Sequence, residues 1–160
     1  MELTSEKKAA LLKAQQGEMN GVETYLMLAE TVHNETDTAT FRKLAAEEGR
    51  HAAVFRRYTG ETLAPKKGQA YFVKAMYHLI GKRLLYPLIA QGEYAAISGY
   101  EQMIQEYPEV ESVKNDEKRH GDTVKALLDN GEYRDWPKLP LVIGGLLFFL
   151  LCRQLCKDRD

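Results

Sequence analysis

The sequence predicts an all-α protein, a four-helix bundle with a crossover segment between its second and third helices. Apolar residues recur with a helical period in four long segments, and residues that cap or stop helices bound these segments. No segment alternates apolar and polar residues as a half-buried strand would. With 160 residues, 44% of them hydrophobic, the chain is long enough for one domain with its own core.

The first two helices are predicted over about residues 5–32 and 37–58. Thr4 or the serine after it can cap the first helix, and the polar turn 33–36 separates the two. Gly60 is expected to end the second helix, because glycine readily adopts the left-handed conformation that closes many helices.

The second half of the chain begins with a connection that contains Pro65, followed by a short amphipathic helix that ends near Gly81. Pro87 suits the first turn of a third helix, predicted to reach about residue 106. Pro108 then restarts the chain into a fourth helix that ends near Asn130.

Two copies of one short pattern lie on the predicted helices. Glu48 precedes His51 by three residues on the second helix, and Glu117 precedes His120 by three residues on the fourth. Residues at this spacing share one face of a helix, so each carboxylate and its imidazole point the same way. One such pair is weak evidence for a metal site, whereas two on apolar stripes are more specific.

The other two helices each carry one glutamate inside the apolar stripe, Glu18 on the first and Glu93 on the third. Glu18 and Glu48 are both expected about 17–21 Å from their shared turn, so the depths agree. Burying four carboxylates is costly unless two divalent cations balance their charge. Carboxylates with imidazoles suit iron or manganese, and zinc less exclusively. The alternative is a solvated or proton-sharing group of carboxylates.

The segments 15–30, 48–51, 91–94 and 116–120 resemble the rubrerythrin-like branch of the ferritin-like di-iron superfamily. The resemblance is greatest to the rubrerythrin domain of membrane-bound ferritins, and it covers roughly residues 5–130. It implies a ferritin-like bundle that holds two irons. The resemblance implies that Glu18 and Glu93 are terminal ligands, one on each iron. It implies that Glu48 and Glu117 bridge the two irons, and that His51 and His120 each bind one of them.

The sequence departs from the rubrerythrin pattern at two points. Ile97 stands where rubrerythrins proper have a further glutamate, which puts their ligand-switching peroxidase cycle in doubt. The paired cysteines of a rubredoxin domain do not occur, so electrons for repeated turnover are expected from a donor that the sequence does not identify.

Several polar residues near these motifs have competing interpretations. Tyr25 and Tyr100 lie seven residues after Glu18 and Glu93 respectively. They could donate hydrogen bonds to the site, relay electrons, or simply be core aromatics. Glu47 is expected to be a surface carboxylate. His33 and His78 are not expected to bind metal.

Residues 134–160 are predicted to form a hydrophobic C-terminal tail that follows a bundle domain of residues 1–133. Its uncharged run, 139–152, would make a helix about 21 Å long, short of the roughly 30 Å hydrocarbon core of a membrane. Flanking residues within 136–155, such as Trp136, could extend it at the interfaces. The resemblance favours a membrane anchor. An interfacial helix and a helix packed on a partner subunit are the alternatives.

The formal net charge of −1 gives no reason to expect a nucleic-acid partner. The polar start of the chain shows no secretory signal, and the cysteines, Cys152 and Cys156, both lie near its end. A cytoplasmic protein, associated with the membrane through its tail, is expected.

The predicted function is that of a di-iron carboxylate oxidase that reacts with O2 or H2O2. Its substrate would be Fe(II), as in a ferroxidase, or peroxide, as in a detoxifying peroxidase. A membrane-associated hydroxylase is an alternative that an apolar channel to the metals would favour. A non-catalytic iron-binding protein is another. We expect a homodimer, since this fold commonly pairs.

Overall fold

Four α-helices make up most of residues 4–129, the part of the chain that the computed structural model describes. The same residues contain no strand, so the all-α prediction is confirmed for them. A short 3-10 helix, Leu127–Asp129, follows the fourth helix. The helices are α1 (Ser5–Thr31), α2 (Glu35–Thr59), α3 (Gly68–Glu101) and α4 (Val110–Ala126).

The ends of α1 and α2 are set by local side-chain chemistry. The Thr4 hydroxyl accepts a hydrogen bond from the backbone N–H of Lys7, as predicted for a cap of α1. Asn34 caps α2 by accepting from the N–H of Asp37, so α2 begins about two residues earlier than predicted. Gly60 ends α2 with a φ of 69°, in the left-handed region that glycine tolerates.

Ion pairs at one end of the bundle establish the directions of the helices. Lys7, near the start of α1, lies 2.6 Å from Glu106, which follows α3. Arg57, near the end of α2, lies 2.9 Å from Glu109, which precedes α4. Helices α2 and α3 therefore both end here and run in the same direction. The chain must return along the bundle between them, and residues 60–80 form that crossover.

The helix α3 contains a break at Gly81, where φ is 70° and ψ is 171°. The part before the break is the predicted crossover helix, and the part after it is the third helix of the bundle. This third helix resumes at Lys82, so the start predicted at Pro87 is about one turn too late. Pro87 lies in the second turn, and the helix ends at Glu101 rather than near residue 106.

Two apolar clusters pack the bundle, one on either side of its middle. The first contains Tyr25, Leu28, Phe41, Leu44, Leu85, Tyr86 and Val124, and the second contains Leu11, Phe55, Tyr100, Tyr107, Val110 and Val113. Along every helix of the bundle the predicted ligands fall between the members of these two clusters. They therefore lie near mid-height, as the sequence predicts.

The predicted C-terminal segment lies outside the described residues, as does the boundary at residue 133. Within residues 4–129, none of the helices combines the length and the apolar character that crossing a membrane requires.

Candidate metal centre

The six predicted ligands converge in the middle of the bundle. Five of them are at most 5% exposed, and the side chain of Glu93 is 15% exposed. They come from all four helices: Glu18 from α1, Glu48 and His51 from α2, Glu93 from α3, and Glu117 and His120 from α4.

Each imidazole faces two carboxylates that other helices supply. The Nδ1 atom of His51 lies 3.2 Å from Glu18 Oε2 and 3.4 Å from Glu117 Oε1. The Nδ1 atom of His120 lies 2.8 Å from Glu48 Oε1 and 3.8 Å from an oxygen of Glu93. The two rings stack with centroids 5.2 Å apart. The centre therefore consists of two similar halves placed side by side.

The polar atoms at this centre are placed for a cation. Glu48, His51, Glu117 and His120 each offer one ligand atom, and these atoms lie within 4.8 Å of one another. Buried atoms of Glu48 (Oε1), Glu117 (Oε1) and His120 (Nδ1) make no hydrogen bond. The Glu48 and His120 atoms approach to 2.8 Å without hydrogen-bond geometry, which is how two lone pairs directed at a shared ion lie. Unpaired buried polar atoms are rare, so the residues fit a metal centre.

Burial and mutual repulsion make the metal-free centre retain protons. Burial and the charges of Glu18 and the other carboxylates hold the pKa of Glu48 well above its usual range. Burial and Glu117 raise the pKa of Glu93 to about 9. Burial disfavours the charged form of His51, but Glu117 and Glu18 outweigh it and raise the pKa to about 10. Divalent cations would replace these protons.

The outer nitrogen of each imidazole contacts a further carboxylate. His51 Nε2 lies 3.1 Å from Asp116 Oδ2, and His120 Nε2 lies 2.9 Å from Glu47 Oε2. When Nε2–H donates to a carboxylate, the lone pair of Nδ1 faces the interior, where a metal would bind. The expectation that Glu47 is a surface residue is wrong, because it is 5% exposed and packs against α4.

Arg119 joins the two outer carboxylates. Its guanidinium lies 2.9 Å from Glu47 and 2.8 Å from Asp116. Burial alone would raise the pKa of both carboxyls. Arg119 and the histidines have the larger opposite effect, so the pKa values of Glu47 and Asp116 are lowered. The sequence contained a signal for these residues, since both motif copies read acidic-Glu-x-Arg-His. Arg50, the counterpart in the first copy, is exposed and lies 3.4 Å from Glu47.

Each of the two tyrosines donates a hydrogen bond to a glutamate on a different helix. Tyr25 of α1 donates a hydrogen bond of 2.5 Å to Glu93 of α3, and Tyr100 of α3 donates to Glu18 of α1. Burial and the nearby carboxylates raise the pKa of both phenols, which therefore remain donors. Both are core aromatics that also donate hydrogen bonds to carboxylates of the centre, so these two interpretations hold together, and a role as electron relays stays a prediction.

The other histidines lie apart from the centre. His33, in the turn after α1, and His78, on the crossover helix, are both exposed. Neither is part of the group of side chains that could hold a metal within the described chain.

A cavity of about 510 Å³ reaches the centre from the surface between α1 and α3. Its inner end contains the carboxylates of Glu18, Glu48, Glu93 and Glu117 with the two tyrosines. Its walls are mostly apolar and include Phe72, Val73 and Met76 from the crossover helix and Leu85, Leu88 and Ile89 from α3. The residues of the described chain that line it include no lysine, arginine or histidine.

Comparison with known proteins agrees with this geometry. A family model described as Rubrerythrin matches residues 9–128 of the chain. No curated protein and no solved structure matches the sequence.

Proposed function

The chain belongs to the rubrerythrin family, and we propose that it is a di-iron oxidoreductase that oxidises Fe(II) or reduces H2O2. The observation that carries the proposal is the buried meeting of four carboxylates and two imidazoles, with unpaired atoms directed at a common centre. Such a group is costly to bury without cations, and this donor set suits iron.

The contacts suggest how the residues would share two metal ions. Glu18 and His51 would hold one ion, and Glu93 and His120 the other, because each histidine lies beside that glutamate. Glu48 lies beside His120 and also interacts with Glu18. Glu117 lies beside His51 and also interacts with Glu93, so these two glutamates would be shared by the two ions. Bound iron supplies one-electron chemistry through its Fe(II) and Fe(III) states.

The chain's own groups would keep this centre fixed while its charge changes. The phenols of Tyr25 and Tyr100 hold the Glu93 and Glu18 carboxylates by hydrogen bonds. Glu47 and Asp116 orient the imidazoles from outside. A rigid, oriented set of ligands costs little reorganisation when electrons leave or arrive.

Fe(II) and H2O2 are alternative substrates of the same centre. Ile97 lies one turn after Glu93 and brings no carboxylate, so ligand exchange with a glutamate at that position is not available. This supports oxidation of Fe(II) by O2 or H2O2 more than the peroxidase cycle of rubrerythrins proper.

The apolar cavity favours a second candidate, a hydroxylase. Such an enzyme would insert one atom of O2 into an organic substrate and reduce the other to water with two electrons from a reductant protein. The cavity brings apolar walls up to the carboxylates, where such a substrate would be needed.

Stopped-flow oxidation of anaerobically Fe(II)-loaded protein tests the proposal. Mixing with O2 and, separately, with H2O2 should oxidise the iron, and the faster reaction identifies the preferred oxidant. Glu48→Ala and Glu117→Ala should abolish the reaction, while Glu111→Ala, an exposed carboxylate on α4, should leave it unchanged. Equal rates in all four proteins would refute the assignment.

Further proposals rest on the sequence. We propose a relation to membrane-bound ferritins, a cytoplasmic homodimer, and membrane contact through residues 136–155. Flotation of the full chain with lipid vesicles, compared with a chain that ends at residue 133, tests the membrane contact.

A further inference from the structure

Two glycines, one on α1 and one on α3, line the cavity. Gly17 of α1 and Gly92 of α3 come directly before Glu18 and Glu93, and both line the cavity. A Cβ atom added at either position would meet nothing within 4 Å. Helix packing therefore does not require glycine there, although glycine inside a helix is destabilising relative to alanine.

Two other glycines show the contrast. A Cβ added at Gly21 would collide with the Glu48 carboxylate, and one added at Gly121 would collide with the Tyr94 ring. Close approach accounts for these two, whereas Gly17 and Gly92 have open space beside them and line the cavity.

The inner end of the cavity can accept hydrogen bonds but offers little to an anion. Its oxygens belong to carboxylates and phenols, and the phenols already donate to Glu18 and Glu93. In the metal-free protein, one oxygen of Glu48 and one of Glu117 make no hydrogen bond. No cationic side chain of the described residues lines the walls. A neutral hydroxyl complements this end, and a carboxylate or phosphate does not.

The mouth of the cavity is mostly apolar, although Gln69 also lines it. Phe72 of the crossover helix is 64% exposed and Leu88 of α3 is 58% exposed, and both belong to the lining. An apolar surface that continues into a cavity ending in hydrogen-bond acceptors is typical of a ligand site.

We propose that this cavity binds a neutral, apolar organic molecule with one hydroxyl group, such as an alkylphenol. The hydroxyl lies against the carboxylates, and the apolar body passes between Gly17 and Gly92 to Phe72 and Leu88. This binding goes beyond the iron chemistry proposed above and does not depend on it, so the two proposals can fail separately.

Calorimetric titration of the full chain with 4-heptylphenol tests the site. We expect one molecule per chain. In the metal-free protein, 4-heptylbenzoate, which has the same body with an anionic head, should bind at least about tenfold more weakly. No binding of the phenol, or equal binding of the benzoate, would overturn the proposal.

Variants that fill the cavity locate the site. Gly92→Leu and Gly17→Leu, on different helices, should each weaken phenol binding at least about tenfold. Gly99→Leu is the matched control, since Gly99 is exposed on the same helix, also has open space around it and does not line the cavity. It should bind the phenol as the unaltered chain does. Ala96→Leu, another lining position, provides a further test if a glycine variant fails to fold.

Two further outcomes would contradict the proposal. Equal phenol binding by all variants would place the ligand elsewhere. Failure to bind the phenol, together with a dimer that Leu88→Glu dissociates, would show that a second copy of the chain covers the mouth. Metal content measured on the same samples separates these outcomes from a failure of the metal centre.

Discussion

The Nε2 atom of His120 lies 2.9 Å from the Glu47 carboxylate, which belongs to the opposite helical hairpin. Glu47 directly precedes Glu48, whose own oxygen lies 2.8 Å from the Nδ1 atom of the same imidazole. Two consecutive residues of α2 therefore contact both nitrogens of one histidine on α4. This arrangement fixes the ring and directs its inner lone pair toward the centre of the bundle.

We predict that Glu47→Ala lowers metal affinity by about 10–100-fold, the usual cost of removing the outer partner of a ligand histidine. Competition for Mn(II) or Fe(II) with a chelator measures the change. Glu111→Ala, an exposed glutamate on α4, is the control and should leave affinity unaltered. If both variants retained normal affinity, the contact between Glu47 and His120 would have no role in the metal site.

We predict that the metal-free protein loses stability as the pH rises from 7 to 10. The pKa of Glu93 is raised from 4.5 to about 9, and that of His51 from 6.5 to about 10. The folded chain therefore binds these protons more tightly than the unfolded chain. The stability they contribute is complete at low pH and is lost as the pH passes through the folded-state values.

The groups of the centre whose pKa values are lowered act at lower pH, whereas the raised pKa of Glu48 acts in the same direction as those of Glu93 and His51. Glu47 and Asp116 have lowered pKa values, so their contribution is lost in acid, and the lowered pKa of His120 acts below about 6.5. Thermal melting between pH 7 and 10 therefore isolates the raised groups. Glu93→Gln should flatten the fall, and bound metal should reduce it. A melting temperature independent of pH over this range would contradict the prediction.

The glycines of α1 should respond oppositely to alanine. An added Cβ at Gly21 would lie 2.5 Å from Glu48 Oε2, so Gly21→Ala must displace this carboxylate. We expect roughly tenfold or greater loss of metal affinity, at least as much as losing an outer partner of a ligand. Gly17→Ala meets open space and should stabilise the fold by about 0.5–1 kcal/mol. Chelator competition and urea unfolding measure the two effects, and similar behaviour of the variants would argue against this packing.

A buried ion pair holds the break in α3 against α2. Lys82 follows Gly81 and lies 3.5 Å from Asp37, which also accepts a hydrogen bond of 2.8 Å from Tyr86. Lys82→Met leaves the Asp37 carboxylate without its cation. Removing one partner of such a pair destabilises proteins by about 3–5 kcal/mol, and we expect a loss of that order in urea unfolding.

The control for this prediction is an exposed pair. Arg57→Met removes the contact with Glu109 at the surface and should cause a much smaller loss. Converting Asp37 to leucine together with Lys82→Met should recover much of the stability, because no uncompensated charge remains. A small effect of Lys82→Met alone would show that the pair is not important for the fold.

Local patterns in the sequence were sufficient to predict much of the fold and of the centre. The six side chains that meet at the centre lie on apolar stripes, and caps such as Thr4 and Gly60 act through neighbouring residues alone, so their positions follow from the sequence. The burial of Glu47 could not, because it lies off the stripe of α2 and is covered by α4. The sequence places the start of the third helix at Pro87, which suits a first turn, whereas Gly81 sets the actual break.

The surroundings of the glycines in α1 also could not be predicted from local sequence patterns. Gly17 and Gly21 are four residues apart on one helix, yet one leaves space and the other accommodates Glu48. The difference depends on which side chain of another helix faces each glycine. Composition and periodicity contain no information on such distant contacts.

The stoichiometry of anaerobic Fe(II) binding tests the central claim most directly. The unaltered chain should bind two Fe(II) per chain, and exposure to O2 or H2O2 should oxidise both. Glu48→Ala or Glu117→Ala should prevent binding of the pair, because each removes a carboxylate from the middle of the centre. Failure of the unaltered chain to bind iron, or two irons bound equally well by these variants, would contradict the account.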